Sequence, residues 1–358
     1  MRKKLFKWHS YGAIIALLPI FIVSITGSIL VFKVELDTLL RPEHMSVAAQ
    51  PNAPRMPLDQ MMQQVVTTHT DFELAGWELF DDKRRSDAGY LMMRGTDDWY
   101  KIYLDQYQGK LLSEPQPMGH YLTDWLLDLH YTFLLHTQGA VVGFVVALVM
   151  LFLGISGVVL YRRFWAKLFT LRLSAAKRIL YSDFHKFTGI ISSPVLIIIA
   201  FTGAYWNFVV LQHEAEHALE GHHYIEAPYH SPEISFEALR LQAEQELATF
   251  KAGYLSIPHE PDEQITFWGE VATGNPLTSE YASTVTFDKS TGELIATFDI
   301  REASNTAVVL DSFRKLHFGY FAGLPSRIIW CVLGLMPVLL GITGLVMYLI
   351  RKRKINAG

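Results

Sequence analysis

The sequence predicts a membrane α-helical protein: four transmembrane helices in two pseudo-twofold repeats, with two small α+β units outside the bilayer. Three observations carry this. Half of the 358 residues are hydrophobic, high for a soluble protein and low for one made only of membrane helices. Four apolar stretches are long enough to cross a hydrocarbon core, which takes about 20 residues. Lysine and arginine gather at both ends and in one central link, while the acids lie between them.

The first helix takes residues 1–34, with its apolar run from about Tyr11 to Phe32. Arg2, Lys3, Lys4 and Lys7 precede it as in a secretory signal. The run is too long for a signal h-region and no A-x-A site follows, so it reads as a retained anchor. Residues 35–128 form the first outer unit. It opens with the amphipathic "PLDQMMQQVVTTHT" at 57–70, followed by strand-like runs around Trp77–Phe80, Tyr90–Arg94 and Tyr100–Leu104. The second helix takes 129–163, apolar from Gly139 to Tyr161, and a basic link, 164–184, leads to the third at 185–211, apolar from Gly189 to Leu211. The second outer unit, 212–320, repeats the order of the first, with a helix around Phe236–Phe250 and strands around Gln264–Glu270 and Ser283–Phe287. The fourth helix and tail take 321–358, apolar from Arg327 to Ile350. Each outer unit ends on one punctuation, "IYLDQYQGKLL" and "VTFDKSTGELI", in which Asp105 precedes Gly109 and Asp288 precedes Gly292. Asp and Gly between apolar runs mark a hairpin turn, where glycine supplies positive φ.

Charge sets the expected topology. Arg2, Lys3, Lys4 and Lys7, then Arg162, Arg163, Lys167, Arg172, Lys177, Arg178 and Lys186, then Arg351, Lys352, Arg353 and Lys354 share one side, with Asp183 the only acid among them. By the positive-inside rule both termini are cytoplasmic. The expected location is a bacterial inner membrane, crossed several times, with both outer units in the periplasm. The one cysteine, Cys331, lies in an apolar run. That excludes a disulfide framework, a cysteine zinc or iron–sulfur site and covalent C-x-x-C-H haem.

The membrane segments repeat. Shifted by 176 positions, His9 falls on His185 and Thr26–Gly27 on Thr202–Gly203; shifted by 187, His130 falls on His317, Gly154 on Gly341 and Gly157 on Gly344. Both halves have one orientation, so the expected pseudo-twofold axis runs along the membrane normal. It pairs His9 with His185 on the cytoplasmic side and His130 with His317 on the outer side. Two imidazoles from neighbouring helices are the usual clamp of a b-type haem, and these four are the candidate axial ligands of two. The G-I-S-G and G-I-T-G motifs fall level with His9 and His185, where small residues give a macrocycle room or let helices pack closely. His130 fits less well. It precedes Gly154 by 24 residues, about 36 Å of continuous helix, which places it at or above the outer interface. His136 has no repeat partner, Gly323 standing in its place; it is the alternative outer ligand.

A different cluster follows the third helix, "LQHEAEHALEGHH". His213 and His217 are four apart, with His222 and His223 beyond. This is metal-ligand spacing and formally satisfies H-E-x-x-H, but no third zinc-ligand pattern accompanies it. The expectation is a contact for iron or its chelate beside the outer haem, or simply a solvated polar helix.

Four stretches, "KWHSYGAIIALLPIFIVSITGSILVF", "LHYTFLL" with "GISGVVLY", "DFHKFTGIISSPVLIIIAFTGAYWNF" and "LHFGYFAGLPSRIIWCVLGLMPVLLGITGLVMY", resemble the PepSY-associated transmembrane family, which includes iron-regulated membrane proteins and siderophore-iron reductases. The D-x-x-x-G-K turns resemble those of PepSY domains, so the outer units are expected to be PepSY-like. The resemblance implies a haem-containing inner-membrane enzyme that reduces ferric siderophores, with haem b at His9, His130, His185 and His317. The expected partners are a ferric siderophore, membrane lipid and an electron donor on the cytoplasmic side or a quinol, with no nucleic acid. Two rival expectations stand: a non-enzymatic PepSY protein that binds a partner or regulates a protease, and a transporter of iron or its chelate. The spans carry no mid-membrane Asp, Glu, Lys or Arg of the kind that ion pathways show.

Overall fold

The computed structural model describes residues 2–48, 54–163, 172, 176–220 and 224–356, with backbone alone at 217–220 and 353–356. The chain divides into two compact units. One is helical and comprises Met1–Lys33, Trp125–Glu216 and Leu316–Gly358; the other, Val34–Asp124 with His217–Lys315, carries the sheet.

In the helical unit three helical stretches are long and apolar enough to cross a membrane: His136–Leu160, Lys177–Glu216 and Tyr320–Lys352. A fourth is a bent pair, α1 (Arg2–Ile15) and α2 (Leu17–Leu30), turned by 67° at Ala16. The first span is therefore not the single straight helix expected over Tyr11–Phe32. Pro19 explains the break, because it has no N–H for the carbonyl of Ile15 and its ring crowds that carbonyl. Pro337 does the same near Leu335, where α11 (Gly323–Gly334) gives way to α12 (Met336–Asn356). Pro194 lies inside α8 (Lys177–Glu220) without breaking it. The carbonyl that it leaves free, Ile190 O, accepts from Ser193 Oγ at 3.0 Å, so no polar group is stranded in an apolar environment.

Two short helices enter this unit from the sheet segments. α6 (Leu122–Tyr131) precedes α7 (His136–Leu160), and α10 (Asn305–Phe318) precedes α11. Each joins its successor through a tight reversal of left-handed residues: Phe133, Leu134 and His136 at φ 54°, 61° and 50°, and Gly319 and Gly323 at 74° and 64°. A Cβ on Gly139 would fall 1.4 Å from Thr132 O, so only glycine lets the end of α6 lie against α7. Trp330 Nε1 likewise donates to Leu316 O at 2.6 Å. This corrects the placement of His130 from continuous-helix arithmetic: the chain folds back before α7 and returns His130 to the flank of α2.

The two sheet segments were expected as two units. They form one eight-stranded antiparallel sheet, ordered β4-β3-β2-β1-β5-β6-β7-β8. The first segment supplies β1 (Phe72–Glu78), β2 (Asp87–Met93), β3 (Trp99–Leu104) and β4 (Gln116–Pro117). The second supplies β5 (Lys251–Ser256), β6 (Ile265–Glu270), β7 (Ser283–Phe287) and β8 (Leu294–Phe298). They meet at β1 and β5, where Trp77 pairs with Leu255. α5 (Leu58–Thr68) and α9 (Phe236–Glu246) cover one face and cap each other. Asp59 accepts from the Phe236 amide at 2.6 Å, and Glu237 accepts from the Leu58 amide at 3.2 Å; each carboxylate satisfies a donor that a helix start leaves open. Leu58, Met61, Trp77, Leu91, Leu255, Phe267 and Phe287 fill one continuous core. The Asp-Gly turns are alike in detail: Asp105 and Asp288 each accept from two following amides, and Gly109 and Gly292 take φ 66° and 74°.

Trp77 is fully buried at the seam and donates to Asp87 at 3.0 Å. Trp77→Ala should cost about 3–5 kcal/mol. Hydrogen–deuterium exchange on the full chain should show β1–β3 and β5–β7 losing protection together; deprotection of the first half alone would mean that the halves are independent domains.

Candidate functional site

Four half-buried histidines stand at two places in the helical unit, each ring on a different helix from the motif that it meets. His9 is on α1, and its Nδ1 lies 2.7 Å from Ser156 Oγ on α7. His185 is on α8, 2.9 Å from Thr343 Oγ1 on α12. His130 is at the end of α6, 3.0 Å from Thr26 Oγ1 on α2. His317 is at the end of α10, 2.8 Å from Thr202 Oγ1 on α8. Each hydroxyl immediately precedes a glycine, and that glycine faces the same ring. An added Cβ would meet His130 Cε1 at 2.7 Å from Gly27 and His317 Cε1 at 3.2 Å from Gly203. The corresponding distances are 3.6 Å for Gly157 to His9 and 3.5 Å for Gly344 to His185.

The two roles open to the G-I-S-G and G-I-T-G glycines are both used, by different members. Gly154 packs on Ile197, and Gly341 on Phe21 and Leu17, where a Cβ would come within 3.0 Å of a neighbouring side chain. The second glycines, Gly157 and Gly344, face histidine instead.

His9 and His185 share a cavity of about 810 Å³. Its walls are Ile14, Leu17, Leu153, Leu196 and Leu340, with all four motif glycines at its edge. Arg2, Lys3, Arg178, Lys186 and Arg351 also line it, and no carboxylate does among the described residues. The site thus offers two imidazoles, an apolar interior and a cationic margin. The rings of the other pair are near neighbours: His130 and His317 have centroids 6.4 Å apart, with planes at 60°. Along α8, His185 and the Thr202 that holds His317 are 17 residues apart, about 26 Å of helix.

Of the remaining candidates, the structure brings neither His136 nor His213 to either place. His136 is exposed at φ 50°, at the position where the second half has Gly323 at 64°. A left-handed residue in a reversal accounts for it, histidine being among the side chains more often found there. His213 is exposed on α8; the His217 side chain, His222 and His223 lie outside the described residues, as does Lys167 of the basic link. Among the described residues no three His, Cys, Asp or Glu side chains are grouped to hold a metal ion. Missing from the expectations were the hydroxyls. Their signal was present, since Thr26, Ser156, Thr202 and Thr343 each stand directly before glycine.

The glycine distances order a mutant series. Gly27→Ala should push His130 aside and cost about 1–3 kcal/mol of overpacking, while Gly157→Ala and Gly344→Ala stay near wild type. Thermal unfolding of the purified chain measures this, and equal losses at all three positions would contradict the geometry.

No curated protein matches this chain. The family model for the PepSY-associated TM region matches residues 6–351. With its apolar helices and antiparallel sheet, the chain is a membrane protein that belongs to the PepSY-associated transmembrane family.

Proposed function

We propose that the chain is a bacterial inner-membrane diheme b-type cytochrome that carries electrons to ferric siderophores and releases Fe(II) in the periplasm. The observation that carries this reading is the pair of histidine pairs, each ring hydroxyl-held and each bedded on glycine. A haem fits the residues present. The cavity of about 810 Å³ is within the roughly 300–1,000 Å³ of cofactor sites. Its apolar walls suit the macrocycle, and its five cations suit two propionates. The other pair brings two imidazoles from different helices near one another, with ring centroids 6.4 Å apart, so both could hold one cofactor.

His9 with His185, and His130 with His317, would each hold one haem b, which supplies a one-electron Fe(III)/Fe(II) couple. The chain's own part is to fix both rings of a pair, keep water out with Leu153, Leu196 and Leu340, and set the spacing between pairs. That spacing, about 26 Å at the level of α8, would set the two pairs near opposite faces of a core about 30 Å thick. By the positive-inside rule the His9–His185 pair would lie on the cytoplasmic side and both sheet segments in the periplasm. There the paired PepSY-like segments would dock the chelate. Fe(III) gains one electron and becomes Fe(II), which hard oxygen ligands hold less tightly. The paired spans, the matched caps of α5 and α9, and the β1–β5 seam support a two-repeat architecture.

The purified chain should carry about two b-type haems in a pyridine haemochrome assay. None would end the cytochrome reading, and one would make one pair structural. Reduced protein should be reoxidised by ferric hydroxamates or catecholates in anaerobic stopped-flow absorbance. No acceleration with any chelate of such a panel would point to another acceptor.

A further inference from the structure

We propose that Thr26, Thr202, Thr343 and Ser156 are positioning residues that choose which imidazole nitrogen meets the metal: each hydroxyl accepts the Nδ1 proton and leaves Nε2 as the ligand. The inference rests on the haem reading and deepens it.

A hydroxyl has one proton to donate and two lone pairs. Thr26 Oγ1 lies 2.7 Å from Ile22 O, and Thr202 Oγ1 lies 2.8 Å from Ile198 O. Thr343 Oγ1 lies 2.8 Å from Leu339 O. Each of these is the carbonyl one turn back on the same helix, and a carbonyl can only accept. The hydroxyl proton is therefore committed to the helix. The contact with histidine, at 2.8–3.0 Å, must run the other way, from Nδ1–H to oxygen. A neutral imidazole carries one N–H, so Nε2 keeps its lone pair. A charged imidazolium is disfavoured among apolar helices. Ser156 is the weaker case. Its Oγ is 3.3 Å from Leu153 O but 2.7 Å from His9 Nδ1, so its proton is less firmly held.

Threonines back-bond to their own helices in many proteins without further purpose. Here the acceptor is directed. Each of the four hydroxyls reaches a histidine of another helix, and each is followed by the glycine on which that ring lies. A donor bond from Nδ1–H also makes the ligand nitrogen more basic, which favours the ferric over the ferrous state.

The test uses the full-length protein with its haem. Thr202→Val and Thr343→Val keep the side-chain shape and remove the acceptor. Redox titration should show the potential of one haem raised in each variant, the His130–His317 haem in the first and the His9–His185 haem in the second. Loss of a supporting partner is worth about tenfold or more in metal affinity. A tenfold change in the ferric-to-ferrous binding ratio is about 59 mV for one electron. Thr202→Ser and Thr343→Ser should restore wild-type potentials and ferric EPR g-values. Unchanged potentials in the valine variants, or serine variants that shift as valine does, would overturn the assignment. If the valine variants do not accumulate, ¹⁵N-histidine NMR of the full-length wild-type chain from haem-depleted cells decides. Nδ1–H imidazoles at His130, His185 and His317 are expected, and Nε2–H would overturn it. A wild-type chain that never binds haem would sink the cytochrome reading alone, because the NMR measurement still reads the tautomer.

Discussion

An imidazole among apolar helices needs a partner for each ring nitrogen, and here one hydroxyl on a neighbouring helix meets one of them at four separate places. That single contact constrains much of the helical unit. The hydroxyl must stand where its own helix accepts its proton. At Gly27 and Gly203 the next residue must be small, because a histidine ring lies close over it. The histidine must reach across from another helix, which sets how closely α1 meets α7, α6 meets α2, α8 meets α12 and α10 meets α8. The tight reversals after α6 and α10 serve the same end: without them His130 and His317 would stand away from Thr26 and Thr202.

The sequence made much of this legible, for identifiable reasons. The spans follow from apolar length, and the Asp105–Gly109 and Asp288–Gly292 turns from residues whose own backbone chemistry makes turns. Histidine in phase with the glycine motifs marked the two pairs, because an ionisable residue is rare enough in an apolar span to register. Other features left no such trace. Phe133 and Leu134 are poor turn formers, held left-handed by the packing of α6 on α7; nothing local announces that reversal, and continuous-helix arithmetic put His130 too high. The β1–β5 seam joins strands far apart in sequence, a pairing that no local pattern encodes. Pro19 is the local cause of the bend in the first span, but its residue type alone does not give the 67° that the packed helices settle on. The hydroxyls passed as ordinary small residues of membrane helices because what sets them apart is a histidine distant in sequence.

The two pairs are built alike and packed differently. His9 and His185 border an open cavity with a cationic margin, and their glycines leave ordinary contact distances. The rings of His130 and His317 stand 6.4 Å apart centre to centre, and Gly27 leaves His130 no room for even one added carbon. The two ends of the proposed electron path are therefore unequal by construction. A cofactor between His9 and His185 would have space and positive charge around it, whereas one between His130 and His317 would be held mainly by the rings and their hydroxyls. Differences in packing, charge and exposure of this kind are what set haem potentials apart.

The account stands or falls on which histidines share a haem. Optical and EPR spectra of the His9→Ala, His185→Ala, His130→Ala and His317→Ala variants decide it most directly. His9→Ala and His185→Ala should each remove the same low-spin signal and leave the other intact. His130→Ala and His317→Ala should each remove that other signal, and His136→Ala should remove neither. Loss of one and the same signal in His9→Ala and His130→Ala would contradict the pairing, and with it the proposed route across the membrane.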